Sequence, residues 1–281
     1  MWQLGTLLKG MVDSEEKSRQ LSTNTQTPLK KCLHKTQGFI HENWKKIWII
    51  ALWLAINLGL FLWKYFQYKN RGAYQIMGQC LCFAKGAAET LKFNMALILL
   101  PMCRRTLTKL RSSFLSNFVP FDDNISFHKL VAAGVVAGVI VHVMMHVTCD
   151  FPRLVSCPKE KFMRILGSYF DYKQPDYPDL LGSVAGVTGI VMVALMAFVF
   201  TLALQSFRKS AVKLPWPFRH LAGFNTFWYA HHLLAVVYVL LVVHGYFVFL
   251  IKDWNKKTVC YVTIASVESD KNLIQELMKE V

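Results

Sequence analysis

Five long apolar runs dominate this chain of 281 residues and limit what it can fold into. The chain is 54% apolar, above the roughly 45–50% of soluble domains, and the excess is concentrated in these runs. Each run is close to the roughly 17–25 residues that a helix needs to cross a bilayer. The fold class is therefore predicted to be an all-α membrane protein, a bundle of five transmembrane helices over Ile47–Trp63, Ile76–Leu100, Leu130–Thr148, Leu180–Leu204 and Phe227–Leu250.

Basic residues lie mostly beside the predicted spans. The formal net charge is +15, but a nucleic-acid-binding surface would need those charges on one face, so no nucleic-acid partner is expected. By the positive-inside rule, the amino terminus and the loops after the second and fourth spans are cytosolic. The chain is thus predicted to be a multi-pass protein surrounded by membrane lipid. The basic clusters are Lys30, Lys31, Lys35, Lys45 and Lys46; Arg104, Arg105, Lys109 and Arg111; and Arg208, Lys209, Lys213 and Arg219.

The spacing of the cysteines and the absence of nucleotide-binding motifs argue against two kinds of site. The seven cysteines form no C-x-x-C pattern, which argues against a zinc site. Cys149 and Cys157 would both face outward, and separate thiols are favoured over a disulfide between them. The sequence contains no G-x-G-x-x-G, Walker or EF-hand pattern, so no nucleotide site is identified.

Three histidines interrupt the apolar stretch FHKLVAAGVVAGVIVHVMMHV at residues 127–147. A helix advances about 100° and about 1.5 Å per residue, so His142 lies within about 40° of four full turns from His128. His146 lies about five full turns from His128. The three imidazoles are therefore expected to share one face of the third span. Gly134 and Gly138 would leave room nearby for a bulky group and allow close helix contact.

The fifth span places histidines at similar heights, because AHHLLAVVYVLLVVHG contains His231, His232 and His244. His231 and His244 are separated by about 19–20 Å along a helix. Two helices would then each carry imidazoles near both membrane faces, and two flat cofactors could stack across the bilayer between them. Haem fits this pattern because neutral imidazole is a good ligand for its iron.

Periodicity leaves two questions open. On an ideal helix, His231 and His244 differ by about 140° in direction, and His232 and His244 by about 120°. A π-bulge, a tilt or a ligand at a helix end must make up the difference, and spacing does not choose between His231 and His232. A proton relay is the competing function, since intramembrane histidines also carry protons.

Several stretches resemble one known family: AKGAAETLKFNMALILLPMCR (84–104), VPFDDNISFHK (119–129), HVTCDFPRL (146–154), GVTGIVMVALMAF (186–198) and LAGFNTFWYAHHL (221–233). They are similar to the NADPH oxidases, and most closely to the plant respiratory burst oxidases. The resemblance extends from about Gly38 to Lys252. It implies the family's six-helix core, here without the sixth helix, with two b-type haems held between the third and fifth spans.

The resemblance implies four ligands to haem iron. By position, His128 and His231 would hold the inner haem, and His142 and His244 would hold the outer haem. His232 then becomes a neighbour of the site rather than a ligand.

The resemblance also implies two candidate catalytic residues, Lys85 and His146, beside the outer haem where oxygen is reduced. With imidazole in both axial positions, the electron must reach oxygen without an iron–oxygen bond. Positive charge nearby then stabilises the product anion as it forms. The alternative for Lys85 is an ion pair with Glu89, one turn away.

Parts of the family have no counterpart here: the amino-terminal EF-hands, the sixth span, and the FAD and NADPH domains. FAD and NADPH sites are therefore expected to be absent, and the chain would not use NADPH by itself. The expected division is a cytosolic amino-terminal segment (1–43), a haem-binding transmembrane domain (44–251) and a divergent carboxy-terminal tail (252–281).

The implied function is that of an oxidoreductase, the membrane part of an NADPH oxidase in the plasma membrane. It would transfer electrons through two haems to external oxygen and yield superoxide. A separate reductase or a full-length oxidase subunit would be its partner. Two alternatives stay open: a non-catalytic truncated partner that modulates the full-length oxidase, and a ferric reductase-type electron relay.

Overall fold

The structure, a computed structural model, describes residues 28–209 and 223–247. Every regular element in these two ranges is helical, which confirms the predicted all-α membrane class. The predicted tail 252–281 and most of the segment 1–43 lie outside the described residues. The helices are α1 (Pro28–Lys69), α2 (Tyr74–Met77), α3 (Gln79–Leu99), α4 (Arg104–Arg111), α5 (Asn124–Met145), α6 (Phe151–Val155), α7 (Lys159–Ile165), α8 (Tyr177–Gly182), α9 (Val184–Ala203), α10 (Gln205–Arg208), α11 (Phe224–His232) and α12 (Leu234–Tyr246).

Single turns join several of these helices. A π segment, His146–Asp150, continues α5 into α6. The 3₁₀ turns are Leu100–Met102, Phe114–Asn117, Phe121–Asp123 and Gly167–Tyr169.

Within residues 28–209 and 223–247, four helical stretches are long and apolar enough to cross a membrane, and they correspond to the first, third, fourth and fifth predicted spans. They are Thr36–Lys69, Phe121–Val155, Val184–Ala203 and Phe224–Tyr246.

The second predicted span, Ile76–Leu100, is divided into α2 and α3. Gly78 separates the two helices at a φ of 68°, a left-handed conformation that glycine adopts without steric cost. Helix α3 has 21 residues, enough to cross, but its apolar character is lowered by Lys85, Glu89 and Lys92. It packs between α1 and α5 in the bundle.

The charged side chains of α3 are paired against α1. The Glu89 carboxylate lies 2.7 Å from Nζ of Lys92 and 3.4 Å from Nζ of Lys64. Glu89 therefore pairs with these two lysines rather than with Lys85. Further along the same contact, the Trp53 indole donates to Oδ1 of Asn94 at 2.8 Å, and the Asn94 amide donates to Oδ1 of Asn57 at 2.6 Å.

Two glycines of α5 allow its close approach to neighbouring helices. A Cβ on Gly134 would lie 2.8 Å from the Trp53 ring, and a Cβ on Gly138 would lie 2.9 Å from Leu91. The prediction of close helix contact at these positions is confirmed. The prediction that the same glycines leave room for a bulky group is wrong, because side chains of α1 and α3 fill that room.

An apolar layer separates the two ends of the bundle. Val135 of α5 and Val237 of α12 are each 1% exposed, and both pack with methionines of α3 and α9. The layer lies between the two levels at which histidines occur, so it keeps those levels apart. Its buried members are Met95, Val135, Met192, Met196 and Val237.

The loop after the third span folds into a second core at the end of the bundle that carries His142 and His244. Leu154 of α6 and Phe162 of α7 are fully buried against Tyr68 of α1 and Leu81 of α3. This packing covers the ends of α1 and α3 and holds the start of α6 in place.

A disulfide joins this end of the bundle covalently. Cys80 at the start of α3 is bonded to Cys149 in the π segment, 69 residues later, whereas Cys157 is a free thiol. The prediction of separate thiols is therefore wrong for Cys149. Its partner comes from another helix, and spacing along the chain carries no signal for a contact of that kind.

Candidate functional site

The histidines of α5 face those of α11 and α12 in two pairs. The ring centroids of His128 and His231 are 6.3 Å apart, and those of His142 and His244 are also 6.3 Å apart. Along α5, His128 and His142 are separated by about 21 Å of helical rise. The structure thus brings together the residues that the resemblance paired, at two levels of the bundle.

This separation fits one metal ion between each pair of rings. Metal–imidazole bonds are about 2.0–2.1 Å long, and a ring nitrogen lies about 1.2 Å from its centroid, so two opposed ligands hold centroids about 6.4–6.6 Å apart. The observed 6.3 Å is within a few tenths of an ångström of that range. The rings are therefore spaced as the two axial ligands of a haem iron would be.

The second ring nitrogen of three of these histidines is already engaged. Metal-binding histidines commonly use one nitrogen for the metal and donate the other N–H to an outer partner. Here the Nδ1 partners are the Ile98 carbonyl for His128 (3.0 Å), the Ala84 carbonyl for His142 (3.0 Å) and the Thr188 hydroxyl for His244 (3.2 Å). Nε2 is then the nitrogen left for a ligand bond.

His231 is distinguished from its neighbour by where the two rings lie. The His231 ring is the one that faces His128, and its buried Nδ1 has no hydrogen-bond partner within the described ranges. His232 is exposed, and its Nδ1 bonds the Trp228 carbonyl of its own helix at 2.7 Å. The geometry favours His231 as the member of the pair.

A break between α11 and α12 supplies part of the rotation that an ideal helix lacks. The Leu233 N–H donates to the Ala230 carbonyl at 3.0 Å, and the Val236 N–H donates to the Leu233 carbonyl at 3.0 Å. Such bonds between residues three apart wind the chain by about 120° per residue instead of about 100°. The tighter winding turns His231 toward the face that carries His244.

Lys85 and His146 lie at the same level as His142 and His244. The His146 ring is 4.7 Å from the His142 ring, at 87° to it. Lys85 interacts electrostatically with His142, His146 and His244. The two candidate catalytic residues are therefore adjacent to one histidine pair, as the resemblance implied, and distant from the other.

Two further residues at this level were not singled out from the sequence. Thr188 of α9 contacts Nδ1 of His244, and no sequence pattern indicates that contact. Asp150 lies 2.8 Å from Nδ1 of His146. Its position four residues after His146, one helical turn away, was the available signal.

Known proteins match most of this chain. It matches the family described as ferric reductase like transmembrane component over residues 88–242. It is 50% identical over 270 residues to respiratory burst oxidase homolog protein A of Solanum tuberosum, covering 92% of this chain and 28% of that protein. It is also 50% identical over 270 residues to homolog protein F of Arabidopsis thaliana, covering 92% and 29%. The chain spans less than a third of the length of these relatives.

Two stacked pairs of facing imidazoles define a transmembrane helical protein suited to bis-imidazole haem. The chain belongs to the ferric reductase-like transmembrane family. The predicted resemblance to plant respiratory burst oxidases is confirmed. That family is haem-containing, and membership supports a membrane electron-transfer role.

Gly189 of α9 packs directly on His244 and offers a test of the His142–His244 pair. A Cβ there would lie 3.3 Å from Cε1 and 3.6 Å from Nδ1 of His244. Gly189→Leu is expected to displace the ring and weaken haem binding at that pair by about 10-fold or more, with Gly189→Ala milder. Haem titration of the purified chain, followed at the Soret band, measures the effect.

The matched control is Gly182→Ala. No atom lies within 4 Å of a Cβ built on Gly182, so haem affinity should not change. Unchanged affinity in Gly189→Leu would contradict the expected displacement of His244.

Proposed function

We propose that this chain is a transmembrane electron relay that carries two b-type haems and passes electrons to external oxygen, as the membrane part of an NADPH oxidase. The observation that carries the proposal is the pair of imidazole couples, each with centroids 6.3 Å apart. Family membership supports it independently. Electrons would reach the inner haem from a reductase or a full-length oxidase subunit on the cytosolic side.

The four histidines orient the haems. His128 with His231 would hold the inner haem, and His142 with His244 would hold the outer one. When bound, a b-type haem supplies a one-electron carrier whose potential its axial ligands and surroundings set. The outer haem, held by His142 and His244, would supply one electron to each oxygen molecule, and the product would be superoxide.

Lys85 and His146 serve the outer site as groups that favour an anion. Both lie beside the His142–His244 pair. Fixed positive charge and N–H donors stabilise negative charge most strongly in a site that excludes water. These two residues would stabilise superoxide as it forms and until it diffuses away.

The direction of transfer follows from the basic clusters. The inner pair lies near the end of α3, where the His128 imidazole contacts the Ile98 carbonyl. The basic helix α4, Arg104–Arg111, begins shortly after that point. By the positive-inside rule this end faces the cytosol, so electrons would enter at His128 and leave near His142. A plasma-membrane location would place the second end outside the cell.

The test begins with the purified chain loaded with haem. It should bind two haems, give a b-type reduced-minus-oxidised spectrum, and after chemical reduction be reoxidised by oxygen. The superoxide formed should reduce cytochrome c in a way that superoxide dismutase abolishes. A chain that shows no Soret band after haem loading would contradict the electron-relay proposal.

A ferric reductase-type relay is the second candidate, because the matching family is described as ferric reductase like. It uses the same haem pairs and differs in the acceptor. Anaerobic reoxidation of the reduced chain by a ferric chelate, compared with reoxidation by oxygen alone, separates the two. Faster reaction with the chelate at equal concentration would favour ferric reduction.

A further inference from the structure

Asp150 is a buried carboxylate next to the outer histidine pair. It ends the π segment that follows the third span, and it is 0% exposed. Neither of its oxygens receives a well-directed hydrogen bond from the described residues. Burial of a carboxylate is unfavourable unless neighbouring donors or cations compensate it, so its neighbours indicate what it does.

The nearest neighbour of Asp150 is the His146 imidazole. Oδ2 of Asp150 lies 2.8 Å from Nδ1 of His146, which has no other acceptor among the described residues. Lys85 and Arg153 are the cations within electrostatic range of the carboxylate. The Arg153 guanidinium also donates to the Met77 carbonyl at 3.0 Å. Asp150 is therefore the acceptor nearest to Nδ1 of His146, at hydrogen-bond distance, although the contact does not have the direction of a hydrogen bond in this structure.

Covalent and packing contacts hold Asp150 where it is. The preceding residue, Cys149, is bonded to Cys80 at the start of α3, the helix that also carries Lys85. The helix that follows, α6, is anchored by the fully buried Leu154. The carboxylate is thus fixed relative to both candidate catalytic residues.

His146 itself is held against the outer pair. Its ring meets His142 nearly edge-on at 4.7 Å, and it stacks on Phe151 at 5.8 Å with 25° between the planes. Rotation of this imidazole, or exchange of the proton between its nitrogens, would change which ring nitrogen faces the outer site and whether that nitrogen carries a proton. A residue that prevents both changes has a direct effect on that site.

We propose that Asp150 is a positioning residue for the outer site: its carboxylate accepts the Nδ1–H of His146, which fixes the tautomer and leaves Nε2 as the nitrogen available to oxygen. This inference rests on the proposed function. Carboxylate partners fix the tautomer and orientation of histidines in this way at metal sites and in catalytic triads. The role of Asp150 is carried through His146 and needs no contact with oxygen.

The first test reads the tautomer directly. The haem-loaded chain is labelled with ¹⁵N-histidine and measured in the diamagnetic ferrous state, with the His146 signal assigned by its loss in His146→Gln. The wild-type chain should show Nδ1–H at His146. Asp150→Ala, which removes the acceptor, should shift the proton to Nε2, and Asp150→Asn, which keeps an acceptor oxygen, should retain Nδ1–H.

The second readout is the rate at which oxygen reoxidises the reduced chain. Asp150→Ala should slow that rate by about 10-fold or more, the scale expected for loss of an outer partner of a functional histidine. Haem content should stay unchanged. The control is Asp171→Asn, which removes one acidic charge from the same loop at an exposed position with a φ of 49° that asparagine tolerates. It should alter neither readout.

The outcomes separate this inference from the proposed function. Nε2–H at His146 in the wild-type chain would overturn the inference, and so would an unchanged tautomer and rate in Asp150→Ala, while the two haems and the relay would stand. Failure of the wild-type chain to bind haem would instead overturn the proposed function. If Asp150→Ala does not fold, the tautomer of His146 in the wild-type chain still tests the inference.

Discussion

Replacing His142 with alanine is expected to remove one of the two haems and leave the other in place. The His142 ring faces His244 with centroids 6.3 Å apart, and an axial position left without its imidazole no longer holds six-coordinate b-type haem. His128→Ala should remove the other haem, because its ring faces His231 in the same way. The pyridine haemochrome assay gives haem per chain, expected to fall from two to about one in each variant.

His232→Ala is the matched control for these variants. His232 is one residue from His231 but is exposed and bonded to the Trp228 carbonyl of its own helix, so haem content should stay at two. Equal haem loss in His231→Ala and His232→Ala would mean that helix α11 needs both histidines for folding. Full haem content in His142→Ala would remove this residue from the ligand set.

Replacing Glu89 with alanine is expected to destabilise the bundle by about 3–5 kcal/mol, the cost of leaving buried charges without their partner. The Glu89 side chain is 8% exposed, and it pairs with Lys64 at 12% and with Lys92 at 19% exposure. Removing the carboxylate leaves two ammonium groups facing each other between α1 and α3. The midpoint of unfolding in a denaturing detergent, compared with that of wild type, measures the change.

Two further variants show whether the loss comes from uncompensated charge. The triple variant Lys64→Met, Glu89→Leu, Lys92→Met removes all three charges together, and its stability should return to near that of wild type. Asp122→Ala breaks the exposed pair with Arg111, in which the carboxylate is 93% exposed, and should cost about 0–1 kcal/mol. A Glu89→Ala variant as stable as Asp122→Ala would contradict the buried-triad account.

Much of the candidate site could be predicted from the helical periodicity of the sequence. The helical spacing of His128, His142 and His146 predicts one shared face of the third span, and the structure places the first two opposite His231 and His244. The choice of His231 over His232 came from resemblance alone. The physical reason that His231 faces His128 is the turn at Leu233, where hydrogen bonds between residues three apart change the winding of the helix. No residue type at this turn indicates it in the sequence.

Other features depended on contacts between distant parts of the chain. The Cys80–Cys149 disulfide and the bond between Thr188 and His244 each join separate helices, and a single sequence does not report such neighbours. Glycine spacing in α5 predicted close helix contact, but which helices would fill the space could not be read from it. The sequence alone does not explain the charged residues in the second predicted span. The structure explains them, because Lys64 of α1 lies beside Glu89.

The most direct measurement of the central claim is an experimental density map of the haem-loaded chain in a lipid nanodisc. We expect two porphyrins stacked across the membrane, one coordinated by His128 and His231 and the other by His142 and His244. The two irons should be about 20 Å apart along the helices, from the rise between the ligand levels. Porphyrin density at any other histidines, or these four imidazoles coordinated to nothing in a chain that binds haem, would contradict it.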